Sequence, residues 1–308
     1  MFKSLSLYRI SSPADSITSE ALEPERFAPC SLQSQESFGF VPPRNLDNAP
    51  LIEHIAGEVI LRVRFERRRV PQQVIKTKAK EMALQIEQST GRKPGRKQMK
   101  ELEEQALMEE LPKAFSSFTE VPVWVSPKLG LLAIGATGSA TDPVATALAK
   151  SIEGLSIRPL QTLTSPATGM TTWLLEAEPP ADFSIDRDCT LSSADEMKSV
   201  VRYARHALDI QEVQEHIRQG KVPQELALTW KGRVSFHLND RGALKRLEFQ
   251  DVVFEGQQPA KSKDESFDTD VALSTGELKG LISSLVEALG GEMPGPGEQQ
   301  GSAPAPQQ

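Results

Sequence analysis

One stretch of the chain has the apolar spacing of two consecutive helices, and this constrains the fold most. Its first half carries four apolar residues at spacings of four, three and four, namely Ile75, Ala79, Met82 and Ile86. That spacing places them on one face of a helix. Gly and Pro residues at 91–95 break this helix, and a second helix over roughly 96–110 ends at Pro112. Two helices joined by a short polar connection predict an antiparallel helical hairpin.

The same part of the chain carries a large excess of positive charge. From Arg62 to Lys100 there are 13 Lys and Arg against three acids, a net charge of +10. The whole chain has a net charge of −7, so the remaining residues sum to −17. A basic element on an acidic body can face a polyanion while the body stays soluble. A solvated basic helix pair without a partner is the alternative reading of this charge.

Strand patterns surround the helical hairpin and predict an α+β fold. Those before residue 166 are 3–10, 54–64, 121–125, 130–134 and 156–160, with a helix at 143–153. Those after it are 182–192, 199–207, 226–230, 233–238 and 244–249, with a helix at 209–219 and a last helix that Thr275 is expected to cap.

This order divides the chain into predicted domains. A central α+β domain comprises 1–65 and 119–165, and the helical arm comprises 66–118. A second α+β domain, the base, comprises 166–291. Residues 292–308 are rich in Pro, Gly, Ser and Gln and are expected to be a disordered tail.

Several function classes lack their signatures here. No run of about 18 apolar residues predicts a membrane span, and the first ten residues alternate like a strand, unlike a signal peptide. Cys30 and Cys189 stand far apart without a CxxC pair, which favours neither a disulfide nor a zinc site and suggests a cytoplasmic location. The four histidines have no HExxH spacing, and the loop 135–139 lacks a phosphate-loop motif. Enzyme signatures are therefore scarce, and these residues predict no cofactor or metal site.

A second set of cations lies beyond residue 200 and comprises Arg202, Arg205, His206, Lys221, Lys245 and Arg246. Strand side chains alternate between faces, so several of these residues are candidates to line one surface with Arg62 and Arg64. Ordinary surface strands also carry Lys and Arg, and the pattern alone leaves both interpretations open. With two Tyr and three Trp, the chain favours phosphate contact over base stacking.

Several stretches match, in order, a family of known proteins. They are Phe27–Cys30, Gly39–Pro43, Leu111–Phe118, Gly220–Val222, Leu226–Trp230, Leu244–Leu247 and Leu273–Leu278. Over roughly residues 1–291 the chain resembles the bacterial recombination-associated protein RdgC family. The resemblance implies horseshoe-shaped α+β monomers that pair into a ring dimer around a positively charged hole. It also implies a nucleoid-associated protein that binds DNA without sequence preference, restrains RecA-promoted strand exchange and is not an enzyme.

The resemblance also assigns roles to individual residues. Phe115 falls on a phenylalanine that gates the ring in the family, and Arg92 falls on an arginine of the helical tip. Lys113 matches a basic position near the gate. Arg205, His206 and Lys221 match the DNA-facing surface, with His206 where a glutamine is familiar.

Charge and resemblance together give the predicted DNA-binding set, which is Arg62, Arg64, Arg92, Lys93, Arg96, Lys97, Lys113, Arg202, Arg205, His206, Lys221 and Lys245. Single- and double-stranded DNA are both open as ligands. The rival hypothesis is a protein–protein adaptor whose basic arm docks an acidic partner and binds no DNA. A hydrolase without a recognisable motif is a more distant third.

Overall fold

The computed structural model describes residues 2–11, 16–46, 49–193, 195, 198–256 and 262–295. These residues form an α+β fold, as the sequence predicted, and contain a large antiparallel sheet and seven α-helices. The helices are α1 (Ser19–Leu22), α2 (Gln72–Thr90), α3 (Arg96–Glu110), α4 (Asp142–Ser151), α5 (Pro166–Glu176), α6 (Gln211–Arg218) and α7 (Lys263–Ala288). The strands are β1 (Ser4–Ser11), β2 (Glu36–Val41), β3 (Ile52–Ile55), β4 (Glu58–Arg68), β5 (Ser116–Ser126), β6 (Leu131–Ile134), β7 (Ser156–Pro159), β8 (Phe183–Ser193), β9 (Val200–Tyr203), β10 (Lys221–Trp230), β11 (Val234–Asn239) and β12 (Leu244–Phe249).

The chain divides into two compact units. The large unit comprises Met1–Ile17, Glu53–Ile60 and the described residues from Pro122 onward. The small unit comprises Thr18–Ile52 and Leu61–Val121. The predicted division into a central domain, an arm and a base stays a prediction, and the two units are described separately below.

The large unit is built on antiparallel strands in the order β5, β6, β1, β12, β11, β10, β8, β9. β1 changes partners along its length. Its residues Ser4 and Leu5 pair with β12, Ser6 to Arg9 pair with β6, and Tyr8 to Ser11 pair with β7. This change of partner makes β1 the strand through which the two halves of the unit's sheet are joined.

Helices α5, α6 and α7 cover one face of the large unit's sheet. Their apolar residues, among them Met170, Val213 and Leu281, pack with strand residues such as Leu228 and Phe236 in one buried core. Gly280 lets α7 approach β10, because a Cβ at this position would lie 2.7 Å from the ring of Trp230.

An ion pair with a buried carboxylate also joins α7 to β4. The carboxylate of Glu58 accepts hydrogen bonds from Trp124 Nε1 at 2.7 Å and Lys279 Nζ at 2.8 Å. Glu58 is only 2% exposed, and Lys279 supplies the countercharge that a buried carboxylate requires.

The small unit combines the helix pair with three strand segments. β2 pairs with the second half of β4, from Glu36 opposite Arg67 to Val41 opposite Arg62. The helices α2 and α3 pack against each other through Ile75, Ala79, Leu102 and Ala106, which form a separate small core. The stripe that contains Ile75 and Ala79 therefore identified the face of α2 that contacts α3.

The predicted strand over 54–64 is wrong at its beginning. Ala56 and Gly57 have φ values of +51° and +82°, and the chain turns there between β3 and β4. Two successive positive φ values are the signature of a tight hairpin turn. The alternating pattern concealed this turn, because strands on both sides of a two-residue turn keep the same apolar alternation.

The last helix begins twelve residues before its predicted cap. Ser262 caps α7 through a hydrogen bond to the N–H of Glu265, whereas Thr275 is buried within the helix and donates to the carbonyl of Val271. The sequence analysis also missed α5, which Ser165 caps and Pro166 begins. Both helices contain polar residues of types that are common in loops. In the structure, Ser and Thr side chains there form hydrogen bonds within their own helix.

The start of the predicted tail is held by the large unit. Glu292 bonds to Arg9, with both carboxylate oxygens 2.8 Å from Nε, and the N–H of Met293 donates to the carbonyl of Gln161. The rest of the predicted disordered tail, 296–308, lies outside the described residues.

Candidate nucleic-acid interface

Four predicted DNA-binding cations occupy the connection between α2 and α3 and the first turn of α3. Helix α2 ends where Gly91 adopts φ +69° and donates its N–H to the carbonyl of Glu87. Ser89 and Thr90 cap the end by donating their hydroxyls to the carbonyl of Ile86. The chain then exposes the side chains of Arg92, Lys93, Arg96 and Lys97 within six residues.

These four cations have weak internal partners or none. Lys93 Nζ lies 3.9 Å from the carboxylate of Glu87, and its side chain is 81% exposed. In the described part of the chain, the structure shows no ion pair for the side chains of Arg92, Arg96 and Lys97. Arg96 and Lys97 also sit at the positive end of the helix dipole, a position that favours anions by about 0.3–1 kcal/mol. The positive charges therefore favour a bound anion, and they do not stabilise helix α3.

Arg62 and Arg64 are placed differently, because both contact one carboxylate. Arg64 contacts Glu120 Oε1 at 2.6 Å through Nη2 and at 3.0 Å through Nε. Arg62 Nη1 lies 3.2 Å from Glu120 Oε2 and 2.7 Å from Asn45 Oδ1. The guanidinium of Arg64 also stacks near the rings of Phe27 and Phe118, at 5.5 Å and 6.0 Å from their centroids.

The arginines that end β4 have structural contacts as well. Arg68 donates to the carbonyls of Ser31 and Cys30, and Arg67 pairs with Glu36 at 2.7 Å. Arg68 also lies 3.6 Å from the buried Glu66. Hydrogen bonds from Ser116 and from the N–H of Cys30 are the main reasons that the pKa of Glu66 is lowered. A run of arginines in sequence therefore overstates the charge that faces solvent.

Lys113 and Phe115 follow the end of α3. Leu111 is fully buried and anchors a short 3-10 turn, and Lys113 Nζ donates to Glu110 at 2.8 Å. The side chain of Phe115 is 95% exposed. The local alternative, in which this phenylalanine covers the base of its own helix pair, is therefore wrong for the single chain.

In the large unit, Arg205 and His206 lie in a loop and not in the strand predicted over 199–207. β9 ends at Tyr203, and Arg205 has a φ of +55°, with its N–H donating to Asp188 at 2.7 Å. The His206 ring is exposed and lies 5.9 Å from the Tyr203 ring. The N–H of His206 also donates to the carbonyl of Arg187, so hydrogen bonds to β8 hold the backbone of this loop while both side chains are exposed.

Lys221, at the start of β10, belongs to a small polar cluster that the sequence analysis did not foresee. Its Nζ lies 3.3 Å from Nδ1 of His216 on α6, and the His216 ring lies 6.4 Å from the Tyr203 ring. Tyr203 donates its hydroxyl to Glu212 at 3.2 Å. Burial, and then the charge of Glu212, raise the pKa of Tyr203 to about 12.

Lys245 is paired within the large unit. Its Nζ donates to Glu225 Oε2 at 2.8 Å, while His237 Nδ1 lies 2.9 Å from Oε1 of the same carboxylate. Burial alone would raise the pKa of Glu225, but hydrogen bonds from Lys245 and His237 outweigh burial and lower it. The charge of Lys245 is thus paired within the chain, by Glu225.

The strand register separates the cations of the large unit between two faces. Arg202 is opposite Thr190, and Lys221 is opposite Ser193 on the same strand β8. Residues directly opposite each other point to the same face, and residues an odd number apart point to different faces. Arg202 therefore lies on the face away from Lys221. Lys245 shares the face of Arg202, because its partner Glu225 is also opposite Thr190.

Two further properties bear on the class of site. Within the described residues, no group of three or more His, Cys, Asp and Glu side chains is arranged to hold a metal ion. No helix in the described ranges combines the length and the apolar character needed to cross a membrane.

Comparison with known proteins gives a consistent result. A family model described as "RdgC: Putative exonuclease, RdgC" matches residues 1–292. A protein named "Recombination-associated protein RdgC" from Herminiimonas arsenicoxydans is 41% identical over 94% of this chain and 98% of its own length. Proteins of the same name from Bordetella parapertussis and Burkholderia cenocepacia are 40% and 38% identical, covering 94% and 99% of this chain and 98% of each protein.

Proposed function

The chain belongs to the RdgC family, and on this premise we propose that it is a sequence-independent DNA-binding protein of recombination. In this proposal it acts in the cytoplasm, on the nucleoid, as a homodimer that encloses DNA and restrains RecA-promoted strand exchange. It binds DNA without cleaving it and requires no cofactor. The names of its relatives support a role in recombination, and the charge distribution supports the choice of DNA as ligand.

The observation that carries the proposal is the exposed cation cluster of Arg92, Lys93, Arg96 and Lys97. In a chain of net charge −7, these side chains stay in solvent beside a helix N-terminus. Phosphate groups suit this position, because the backbone N–H groups of a first turn and the side-chain charges both favour an anion. Phosphate contacts carry no base information, so this site predicts binding without sequence preference.

The exposed Phe115 supports the assembly part of the proposal. A large apolar side chain that is 95% exposed leaves water when a partner surface covers it. In a two-fold dimer the same contact forms twice. The proposed gate is therefore a pair of Phe115 side chains, each inserted into the partner subunit, with the main dimer contact in the region 166–291.

The test of the proposal is a binding titration against salt. The full chain is titrated with single- and double-stranded oligonucleotides of two unrelated sequences, each at several salt concentrations. With six to ten phosphate contacts, the affinity should fall roughly 10³–10⁵-fold between 50 and 200 mM salt, equally for both sequences. Absence of DNA binding at any salt would favour the adaptor hypothesis, and a marked sequence preference would contradict phosphate-only contact.

Two additions to this titration address cleavage and recombination. End-labelled DNA is incubated with the protein and Mg²⁺, and the proposal expects intact DNA, whereas released nucleotides would support the exonuclease named in the family description. RecA-promoted strand exchange between a circular single strand and a linear duplex is then measured with increasing protein. The proposal expects exchange to decline as the protein saturates the DNA, and unchanged exchange at saturation would contradict it.

A further inference from the structure

The Arg62–Arg64 pair of the small unit is distinguished by the single carboxylate that both arginines share. Arg64 uses two nitrogens on Glu120 Oε1, and Arg62 contacts Oε2, so both oxygens of Glu120 are occupied. Two guanidinium groups against one carboxylate leave a net charge of +1 at the site. The arginines therefore have more donors and more charge than Glu120 satisfies.

The surroundings hold the two guanidinium groups in place. Arg62 also donates to Asn45 Oδ1 at 2.7 Å, and the guanidinium of Arg64 lies near the rings of both Phe27 and Phe118. The side chains of Arg62 and Arg64 are 17% and 32% exposed. Because their positions are fixed by contacts other than Glu120, they are organised in advance for an anion that replaces it.

Glu120 itself lies at the open side of this arrangement. Its side chain is 33% exposed and pairs with the two arginines. A carboxylate and a phosphate oxygen pair present similar acceptor geometry to a guanidinium, and arginine binds both in a bidentate manner. We propose that Glu120 occupies the position of a DNA phosphate on Arg62 and Arg64, and that it lowers the affinity for DNA by competing with that phosphate. This inference rests on the proposed DNA binding and names the side chain that limits it.

If Glu120 competes with a DNA phosphate, removing its charge should strengthen DNA binding. If the ion pair only stabilises the fold, DNA binding should not change. In Glu120→Gln the side chain keeps its size and one acceptor oxygen but loses its charge, so a phosphate meets two uncompensated arginines. One or two additional phosphate contacts raise the slope of log affinity against log salt by about 0.9–1.8. Between 50 and 200 mM salt, the affinity of Glu120→Gln should then fall by an additional factor of about 3.5–12 relative to the wild type.

The matched control is Glu23→Gln. Glu23 also belongs to the small unit and makes a bidentate pair, with Arg26 at 2.7 Å, and the substitution removes the same charge from the chain. If the effect came from the net charge alone, the two variants would bind DNA alike. A third variant, Arg62→Ala/Arg64→Ala/Glu120→Gln, also removes the two arginines to which the phosphate would bind.

The experiment measures DNA affinity of the full chain against salt for the wild type and the three variants, with thermal unfolding as a check on folding. The inference expects a steeper slope and tighter binding at 50 mM salt for Glu120→Gln alone. An unchanged slope in folded Glu120→Gln, with wild-type DNA binding intact, overturns the inference and leaves the proposed function standing. The same gain in Glu23→Gln or in the triple variant also overturns it. Absence of DNA binding in all four proteins overturns the proposed function and this inference together.

Discussion

The cations of the helix connection and the cations of the strands differ in what surrounds them. Arg92, Arg96 and Lys97 project from a connection and a first helical turn, and the described structure shows no ion pair for them. The strand cations Arg64 and Lys245 each contact a carboxylate of their own unit at 2.6 Å and 2.8 Å. The first group owes its position to a helix break, whereas the second lies on strands whose neighbours come from distant parts of the sequence.

This difference decides how much each group can contribute to binding a polyanion. An exposed cation without a partner contributes its full charge and releases counterions on binding. A cation that already holds a carboxylate must exchange one anion for another, so its net gain is smaller. The helix connection should therefore supply most of the electrostatic affinity, and the paired strand cations should mainly stabilise the fold.

The largest effect is expected when the helix connection is neutralised. The variant Arg92→Ala/Lys93→Ala/Arg96→Ala/Lys97→Ala removes up to four phosphate contacts, and the slope of log affinity against log salt should decrease by up to about 3.6. Stability should remain close to the wild type, because these side chains are exposed. Fluorescence anisotropy with labelled duplex at a series of salt concentrations measures the slope.

A matched control neutralises four exposed cations of the large unit that belong to no proposed site, namely Lys128, Arg218, Arg241 and Lys263. Both variants change the net charge of the chain equally. Equal losses of DNA affinity in the two variants would show that net charge, and not the helix connection, determines binding.

The next largest effect concerns Phe115. Burial of one phenylalanine side chain stabilises a contact by about 1.5–3 kcal/mol, and a two-fold gate contains two of them. Phe115→Ser should leave the fold intact, because the side chain is 95% exposed in the single chain. Retention on closed circular DNA at high salt should fall about tenfold or more, whereas binding to short linear duplexes should change little.

The measurement compares the salt-resistant fraction bound to circular and to linearised plasmid. Leu84→Ser serves as the control, since Leu84 is another exposed apolar residue of the helix pair, at 57% exposure. An identical ratio of circular to linear retention in the wild type and Phe115→Ser would contradict the gate.

The helix pair could be located from sequence, because its signals are local. The stripe of Ile75 and Ala79, the break at Gly91 and the end near Pro112 all act within a few residues of one another. The exposure of Arg92 and Lys97 followed directly from the break. The family resemblance, now confirmed over residues 1–292, added the expectation of DNA binding, which periodicity alone does not contain.

The partners of the strand cations could not be predicted, because strand register is non-local. Glu120 is separated by 56 residues from Arg64, and no spacing rule connects them. Likewise, Lys221 and Arg202 looked equivalent in sequence, but the register of β8 places them on opposite faces. Thr275 resembles a helix cap because of its residue type, and only the packing of α7 shows that its hydroxyl serves a buried carbonyl.

A smaller effect is expected for a paired strand cation, and it should appear in stability. Lys245→Ala removes the charged donor of Glu225, whose side chain is 21% exposed. The free energy of unfolding should fall by about 1–2 kcal/mol, because solvent screening at this partly exposed pair reduces the roughly 1.5–3 kcal/mol typical of a hydrogen bond to a charged group. The slope of DNA affinity against salt should remain that of the wild type. A clear decrease of this slope would instead show that Lys245 contacts a DNA phosphate.

The smallest effect is the pH dependence of that same loss, and it tests whether the pairing of Lys245 with Glu225 is the cause. The folded state lowers the pKa of Glu225, so its contribution is present above the unfolded-state value of about 4.3 and disappears as the pH falls through the lower, folded-state value. The difference in unfolding free energy between the wild type and Lys245→Ala should therefore be constant from pH 7 to about pH 5 and should shrink below about pH 4.3. Urea unfolding at several pH values measures it through tryptophan fluorescence, because Trp124, Trp173 and Trp230 all belong to the large unit that contains Lys245. Lys128→Ala, at an exposed site, should show no such change. A difference that stays the same down to pH 3 would mean that Lys245 stabilises the strand through its aliphatic chain and not through the charge of Glu225.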